Sequence, residues 1–159
     1  MKGVSVIIAS AIVIVLSITA AFLALHYGTP AIDKTKEIML MEEGKDTLIS
    51  IDNSVKSVAE EGEGSTRSLS IVVSGGNYLI DEDNDQIVFY MDTFSQIVAP
   101  GISKIEDGIN ITGEVGTIYL YLPFDFNITG SGEFSKGSYS MIIRNEGYQN
   151  QKQIVSISI

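Results

Sequence analysis

The feature that most constrains this chain is an uncharged apolar run from Val4 to Leu25, directly after Met1-Lys2-Gly3. As an ideal helix, its 22 residues would measure roughly 33 Å, enough to cross a hydrocarbon core of about 30 Å. A soluble surface helix keeps one polar face, and this run has none. The run therefore predicts a segment that is buried in a membrane or in the core of a filament.

Three interpretations of this run stay open. A cleaved secretory signal has a basic tip, an apolar stretch of about 7–15 residues and a small-residue cleavage site, and here the apolar stretch is longer. An uncleaved anchor helix is the second interpretation. The third depends on the two residues before the run, Lys2 and Gly3.

Lys2 and Gly3, followed at once by Val4-Ser5-Val6-Ile7-Ile8-Ala9-Ser10-Ala11-Ile12, resemble the class III signal peptide of archaeal type IV pilin-like and archaellin-like proteins. The resemblance implies a leader over residues 1–3, cut between Gly3 and Val4 by a prepilin-peptidase-type membrane protease. Lys2, Gly3 and Val4 are then the processing residues. Residues 4–27 would stay on the mature protein as a transmembrane or filament-core helix.

One position departs from the pilin pattern. Ile8 stands at the fifth position of the implied mature chain, where bacterial pilins carry a glutamate. A major pilin, a minor filament subunit and a pilin-like protein that stays in the membrane therefore all remain open.

Charge and composition exclude several classes of function. The net charge is −10, with Lys2 as the only charged residue before Asp33, so the rest of the chain repels phosphates and no nucleic-acid partner is expected. There is no cysteine, hence no thiol nucleophile and no cysteine-based zinc site. The only histidine, His26, ends the apolar run, where we expect an interfacial residue. With no Gly-x-Ser-x-Gly either, we expect a structural or binding protein and not an enzyme.

An amphipathic helix is predicted over residues 28–62. It continues the apolar helix of residues 4–27, so the two form a single long N-terminal helix. Thr29-Pro30 is typical of a helix start, with proline at the first helical position. Gly44 weakens the middle by about 1 kcal/mol relative to alanine and suggests a bend. One apolar stripe at helical spacing comprises Met41, Leu48, Ile51, Val55 and Val58, continued less regularly by Ile32, Ile38 and Met39.

Residues 63–159 predict an antiparallel β domain, after a loop at 60–66 that is rich in glycine and glutamate. From Arg67 onward the apolar residues alternate with polar ones, and Gly75-Gly76-Asn77 is typical of a hairpin turn. Strands are predicted at 67–73, 77–80, 86–91, 108–112, 117–122, 138–144 and 153–159. The expected fold class is α+β: a long N-terminal helix followed by an antiparallel β-sandwich or a partly open barrel.

Asp81, Asp83 and Asp85 alternate along one loop, as at the start of a calcium-binding loop. Gln86 occupies the place of the turning glycine, and Asp92 stands at the twelfth position instead of glutamate. The alternative is an acidic hairpin tip whose charge keeps it soluble. Calcium is the one cofactor considered, and otherwise none is expected.

Two glycosylation sequons occur, Asn110-Ile111-Thr112 and Asn127-Ile128-Thr129. Lys2 precedes the apolar run while Lys34 and Lys36 follow it, so the positive-inside rule does not decide orientation. The Lys-Gly signature and the two sequons favour a C-terminal domain outside the cell, on the membrane or in a surface filament.

Two functions are expected to compete. The first is a pilin-like structural or adhesive subunit that assembles with copies of itself or related subunits. The second is a membrane-tethered β domain that binds surface-layer protein, glycan or a filament component without polymerising.

Overall fold

The computed structural model describes the backbone of residues 2–159 and the side chains from Val6 onward. Within that range the chain forms one helix, α1 (Lys2–Glu61), and ten strands. The strands are β1 (Thr66–Val73), β2 (Asn77–Asp81), β3 (Gln86–Asp92), β4 (Ser103–Glu106), β5 (Ile109–Glu114), β6 (Thr117–Pro123), β7 (Asn127–Thr129), β8 (Gly132–Phe134), β9 (Gly137–Gln149) and β10 (Lys152–Ser158). The chain divides into two compact units: the first ends at Lys36 and the second is Glu37–Ile159.

The prediction of one long N-terminal helix is confirmed, but the predicted helix start at Thr29-Pro30 is wrong. The Thr29 hydroxyl donates to the carbonyl oxygen of Leu25 at 2.9 Å, one turn back, instead of capping a new helix. Pro30 lies inside α1. Because proline has no N–H, the hydrogen bond to the carbonyl of His26 is missing at that turn.

In the second unit, one face of α1 is buried along almost its whole length. The predicted stripe is confirmed, since its members are at most 6% exposed: Met41, Leu48, Ile51, Val55 and Val58. Ile38 and Met39 do not continue it and are exposed, and Glu37 takes the buried position instead. Residues three and four apart share a helix face. Glu37, four residues before Met41, lies within the buried face, Ile38 lies at its margin with 37% exposure, and Met39 lies outside it with 65% exposure. Ile32, in the first unit, is exposed as well.

The strands form two sheets. One has the order β1-β9-β10-β7 and the other has the order β4-β5-β6-β3-β2-β8. All pairs are antiparallel except β10 with β7, which is parallel. Among the described residues the strands close no barrel, and the α+β fold class is confirmed. The buried stripe of α1 and apolar side chains from both sheets form one hydrophobic core.

All seven predicted strands are confirmed to within a few residues, apart from β9, which runs on to Gln149. Three short strands were missed, β4, β7 and β8, because three or four residues are too few to establish an alternating pattern. The predicted hairpin at Gly75-Gly76-Asn77 is wrong. That turn leads from β1 to β2, which belong to different sheets, and β1 pairs with the distant β9 instead.

The fully buried ring of Phe89 on β3 lies between two glycines. A Cβ atom on Gly44 of α1 would lie 2.5–2.8 Å from three atoms of this ring. A Cβ atom on Gly76 would lie 2.5 Å from its Cε2 atom, and Gly76 has a φ of +75°. Because Gly44 has no side chain, the helix can approach β3 closely. The sequence suggested a bend at this glycine and did not predict its packing role.

Side chains from the loop after α1 and from the four-stranded sheet satisfy the last carbonyl groups of α1, which have no partner within a helix. Asn145 is 1% exposed, and its Nδ2 donates to the carbonyl oxygens of Val58 and Ala59 at 3.1 and 3.2 Å. Gln153 Nε2 donates to Ala59 at 2.6 Å and the Ser65 hydroxyl donates to Val58 at 2.8 Å. The helix end is thereby anchored to β9 and β10.

Candidate interaction surfaces

In the first unit, every side chain of α1 from Val6 to Tyr27 is exposed. The hydroxyls of Ser10, Ser17 and Thr19 donate to backbone carbonyls three or four residues back at 2.8–2.9 Å. Between Val6 and Leu25 the side-chain hydroxyls are thus satisfied inside the helix, as a lipid environment requires. This helix is long and apolar enough to cross a membrane.

The side chains of the predicted processing residues, Lys2, Gly3 and Val4, lie outside the described side chains, so cleavage after Gly3 stays a prediction. At the other end of the run, the ring of His26 stacks on Phe22 at 5.7 Å and meets the edge of Tyr27 at 5.0 Å between ring centroids.

Glu37 fixes the loop that follows β3. Its carboxylate accepts hydrogen bonds from the Thr93 hydroxyl at 2.7 Å and from the backbone N–H groups of Phe94 and Ser95 at 3.1 Å. Burial opposes ionisation of Glu37, but these donors outweigh it and lower the pKa of the carboxyl below its ordinary value. The sequence did not predict this contact. Glu37 follows Lys34 and Lys36 and precedes an apolar stretch, and a glutamate in such a position is normally exposed.

The loop held by Glu37 presents an apolar tip to solvent. The Phe94 side chain is 94% exposed, although both of its neighbours and its own N–H are hydrogen-bonded. The Thr93 N–H donates to the Gly116 carbonyl at 2.9 Å, which places the 86% exposed Val115 on the adjoining hairpin. Single exposed apolar side chains are common on folded domains, and we treat this tip as a candidate contact surface because hydrogen bonds hold its backbone.

A groove of about 530 Å³ lies in the second unit between α1 and the edge strand β1. We call it the acidic groove. It is lined by Ile38, Met39, Glu42, Glu43, Asp46, Thr47 and Ser50 of α1 and by Leu69, Ser70, Ile71 and Val72 of β1. An edge strand with free backbone groups beside apolar side chains is a surface on which another chain can add a strand.

Three tyrosines form a row on the solvent-facing side of the six-stranded sheet, and we call this the tyrosine face. Tyr119 stacks with Tyr90 on β3 and with Tyr121 on its own strand, with 5.9 Å between ring centroids in both pairs. The Tyr90 hydroxyl donates to Glu133, which raises the pKa of Tyr90, and burial raises the pKa of Tyr121. Both hydroxyls therefore stay neutral near neutral pH.

In the acidic loop between β2 and β3, Asp81 and Asp85 accept hydrogen bonds from other groups of the protein. Asp81 accepts hydrogen bonds from Gln86 Nε2 at 2.9 Å and Asn84 Nδ2 at 2.8 Å, which lower the pKa of its carboxyl. Asp85 accepts from the backbone N–H of Ile128 at 3.0 Å. Among the described side chains no group of three carboxylates, histidines or cysteines could hold a metal. Calcium binding by Asp81, Asp83 and Asp85 stays a prediction without support from this geometry.

Asp81 and Asp83 should differ sharply in their effect on stability. We expect Asp81→Ala to lower the free energy of unfolding by about 1–2 kcal/mol, because it removes an ionised acceptor from two side-chain donors. Asp83→Ala, at an exposed position, should change it by less than about 0.5 kcal/mol. Urea denaturation with and without calcium measures both effects. Equal losses would contradict the role of Asp81, and stabilisation by calcium that disappears in Asp83→Ala would restore the calcium interpretation.

The two sequon asparagines occupy different environments. Asn110 lies on β5 on the solvent-facing side, between the buried Ile109 and Ile111. Asn127 lies on β7, and its Oδ1 atom is buried without a hydrogen-bond partner. The structure thus distinguishes two sequons that are identical in sequence.

These surfaces belong to separate parts of the chain. Comparison of the chain with protein-family models, with curated proteins and with solved structures gave no match.

Proposed function

We propose that this chain is a type IV pilin-like surface subunit. In this proposal its N-terminal helix anchors it in the membrane or packs in a filament core, and its acidic β domain lies outside the cell. Its role is structural or adhesive, not catalytic. A prepilin-peptidase-type protease removes residues 1–3, and the mature chain begins at Val4.

The observation that carries the proposal is the exposed apolar helix from Val6 to Leu25. Roughly 20 apolar residues without a charge are what a bilayer or an apolar filament core accommodates and what water does not. The hydroxyl groups of this helix bond within it, so burial in lipid leaves no side-chain donor unpaired. The Lys2-Gly3 pair before it adds the processing signal.

The second unit offers surfaces suited to subunit contacts. The apolar tip at Phe94 and Val115 and the acidic groove beside β1 are different in shape and chemistry. Different surfaces on one chain support head-to-tail contacts, which generate open filaments. Copies of the chain or related pilin-like subunits are the partners proposed for them.

The tyrosine face supports the second candidate function, a membrane-tethered β domain that binds surface-layer protein, glycan or a filament component without polymerising. Aromatic side chains on an exposed sheet face are enriched where proteins bind partners. This candidate shares the anchor with the first and differs in whether the chain enters a filament.

N-terminal sequencing of the protein from native membranes tests the processing step. We expect the mature chain to begin at Val4, and Gly3→Leu to retain Met1 because it removes the residue at the cleavage point. Ser5→Ala, two residues beyond the cut, is the matched control and should be processed normally.

Shearing the cells then separates the two candidate functions. A chain that starts at Val4 and is recovered in sheared surface filaments supports the pilin-like subunit. A chain that starts at Met1 and occurs only in membranes contradicts it and supports the tethered domain.

A further inference from the structure

Strand register brings the first sequon next to the tyrosine face. Asn110 on β5 pairs directly with Tyr121 on β6, and Thr112 pairs with Tyr119. All four side chains point to the solvent-facing side, since the buried residues of both strands alternate with them. Directly opposite residues of an antiparallel pair have Cβ atoms about 4.5–5.5 Å apart. A sugar attached to Asn110 would therefore begin within reach of the Tyr121 ring.

The centre of this face is uncharged, although the protein as a whole carries a net charge of −10. Tyr121 pairs on its other side with Val88, and Tyr119 pairs with Tyr90. Carboxylates lie at its margins: Glu133 accepts a hydrogen bond from the Tyr90 hydroxyl, and Glu114 and Asp92 pair with Thr117 at the end of β6. Apolar C–H groups of a sugar ring pack well on neutral aromatic rings, and these rings lie in the middle of such a patch.

The second sequon lacks these properties. Asn127 has its Oδ1 atom buried, and its strand pairs in parallel with β10 through Ile154. A glycan on this side chain would have to move the amide out of its enclosed position. The Ile128 N–H within the sequon is also bonded to Asp85.

We propose that Asn110, and not Asn127, carries an N-linked glycan, and that its first sugars pack on Tyr121 and Tyr119. The inference rests on the extracellular β domain of the proposed function. A membrane transferase supplies the glycan from a lipid-linked phosphate donor. The Asn110 Nδ2 forms a bond to the anomeric carbon as the bond from that carbon to the phosphate oxygen breaks. The lipid phosphate leaves with the bonding electrons, and one amide proton passes to solvent.

Transfer takes place before the strands pair, and the fold then selects between the sequons: a glycan on Asn127 keeps its amide from reaching its enclosed position beside β10, so only a chain modified at Asn110 completes the fold. In the folded domain the Thr112 hydroxyl already bonds the Ser103 hydroxyl at 3.0 Å and lies in a paired strand. Once the strands have paired, the glycan covers the tyrosine face, so it occupies the surface instead of an external partner.

Intact mass of the full chain purified from its native membranes tests the site of attachment. We expect one glycan, lost in Asn110→Gln and kept in Asn127→Gln. An unmodified Asn110, or a glycan on Asn127 alone, would overturn the inference.

Thermal unfolding tests the packing. Enzymatic or chemical removal of the glycan should lower Tm by about 2–6 °C, the shift expected for one aromatic contact in a domain of this size. In Tyr121→Leu, removal should change Tm by less than about 1 °C, because the sugar has already lost its aromatic partner. Tyr148→Leu is the matched control: Tyr148 is an exposed tyrosine on β9 of the other sheet, and its loss should leave the full shift.

The outcomes separate this inference from the proposed function. A chain that begins at Val4 and carries no sugar on Asn110 leaves the pilin-like proposal standing and overturns this one. If removal of the Asn110 glycan shifts Tm equally in the wild type and in Tyr121→Leu, the proposed packing of the sugars on Tyr121 is wrong. A chain that begins at Met1, carries the glycan on Asn110 and shows the Tyr121-dependent shift in Tm supports the glycan inference. It contradicts only the proposed cleavage after Gly3.

Discussion

We expect Gly44→Ala to lower the free energy of unfolding of the full chain by about 1–3 kcal/mol, although alanine is the better helix former. The added methyl group would lie 2.5–2.8 Å from three atoms of the Phe89 ring. The ring cannot withdraw, because it is fully buried and Gly76 contacts its other edge. Urea denaturation in detergent, followed by tyrosine fluorescence, measures the loss.

Two further variants separate overpacking from helix propensity. Asn53→Ala changes an exposed position of the same helix and should alter the free energy of unfolding by no more than about 0.5 kcal/mol. In a Phe89→Leu background the smaller side chain leaves room, so Gly44→Ala should cost clearly less than in the wild type. The same cost in both backgrounds would contradict a Gly44–Phe89 contact.

Glu37→Ala should cost about 1.5–3 kcal/mol of the free energy of unfolding and should loosen the loop that bears Phe94. It leaves the Thr93 hydroxyl and two backbone N–H groups without their charged acceptor. Hydrogen exchange should become faster at the amides of Phe94 and Ser95. Glu42→Ala, at an exposed position on the same helix, is the control and should leave those amides unchanged.

The lowered pKa of Glu37 sets the direction of a pH effect on the same contact. A carboxyl with a lower pKa in the folded state stabilises the fold fully above its unfolded pKa of about 4.3. That contribution is lost as the pH falls through the folded-state pKa. The stability difference between the wild type and Glu37→Gln should therefore be constant near pH 7 and shrink below about pH 4. Comparison with Glu37→Gln is needed because Asp81 and Glu106 also have lowered pKa values. A difference that stays constant to pH 2 would contradict the contact.

Much of the fold could be predicted from local patterns. The helix stripe from Met41 to Val58 and the alternation in the long strands are periodic over enough residues to identify a face. The apolar run needed only its length and lack of charge. Short strands such as β7 and β8 have no period, and their pairing comes from the neighbouring strands that hold them.

The sites were less accessible to prediction. Asp81, Asp83 and Asp85 alternate as metal ligands can, but Asp81 and Asp85 bond to donors from the loop and from Ile128. Glu37 gave no signal because its partners lie more than fifty residues away in the sequence. Asn110 is a favourable glycosylation site because Tyr121 lies opposite it, and the register of β5 and β6 brings these two residues together.

The sequence by itself determined where the chain prefers lipid to water, which helix face is buried and which residues form the long strands. These properties depend on hydrophobicity and spacing within a few residues. The tertiary structure alone decided that β1 pairs with β9 and not with β2, that Gly44 receives an aromatic ring, and that Glu37 is buried as an anion. Each of these depends on groups far apart in the chain, whose contacts compete for the same space and the same hydrogen bonds until the whole domain has packed.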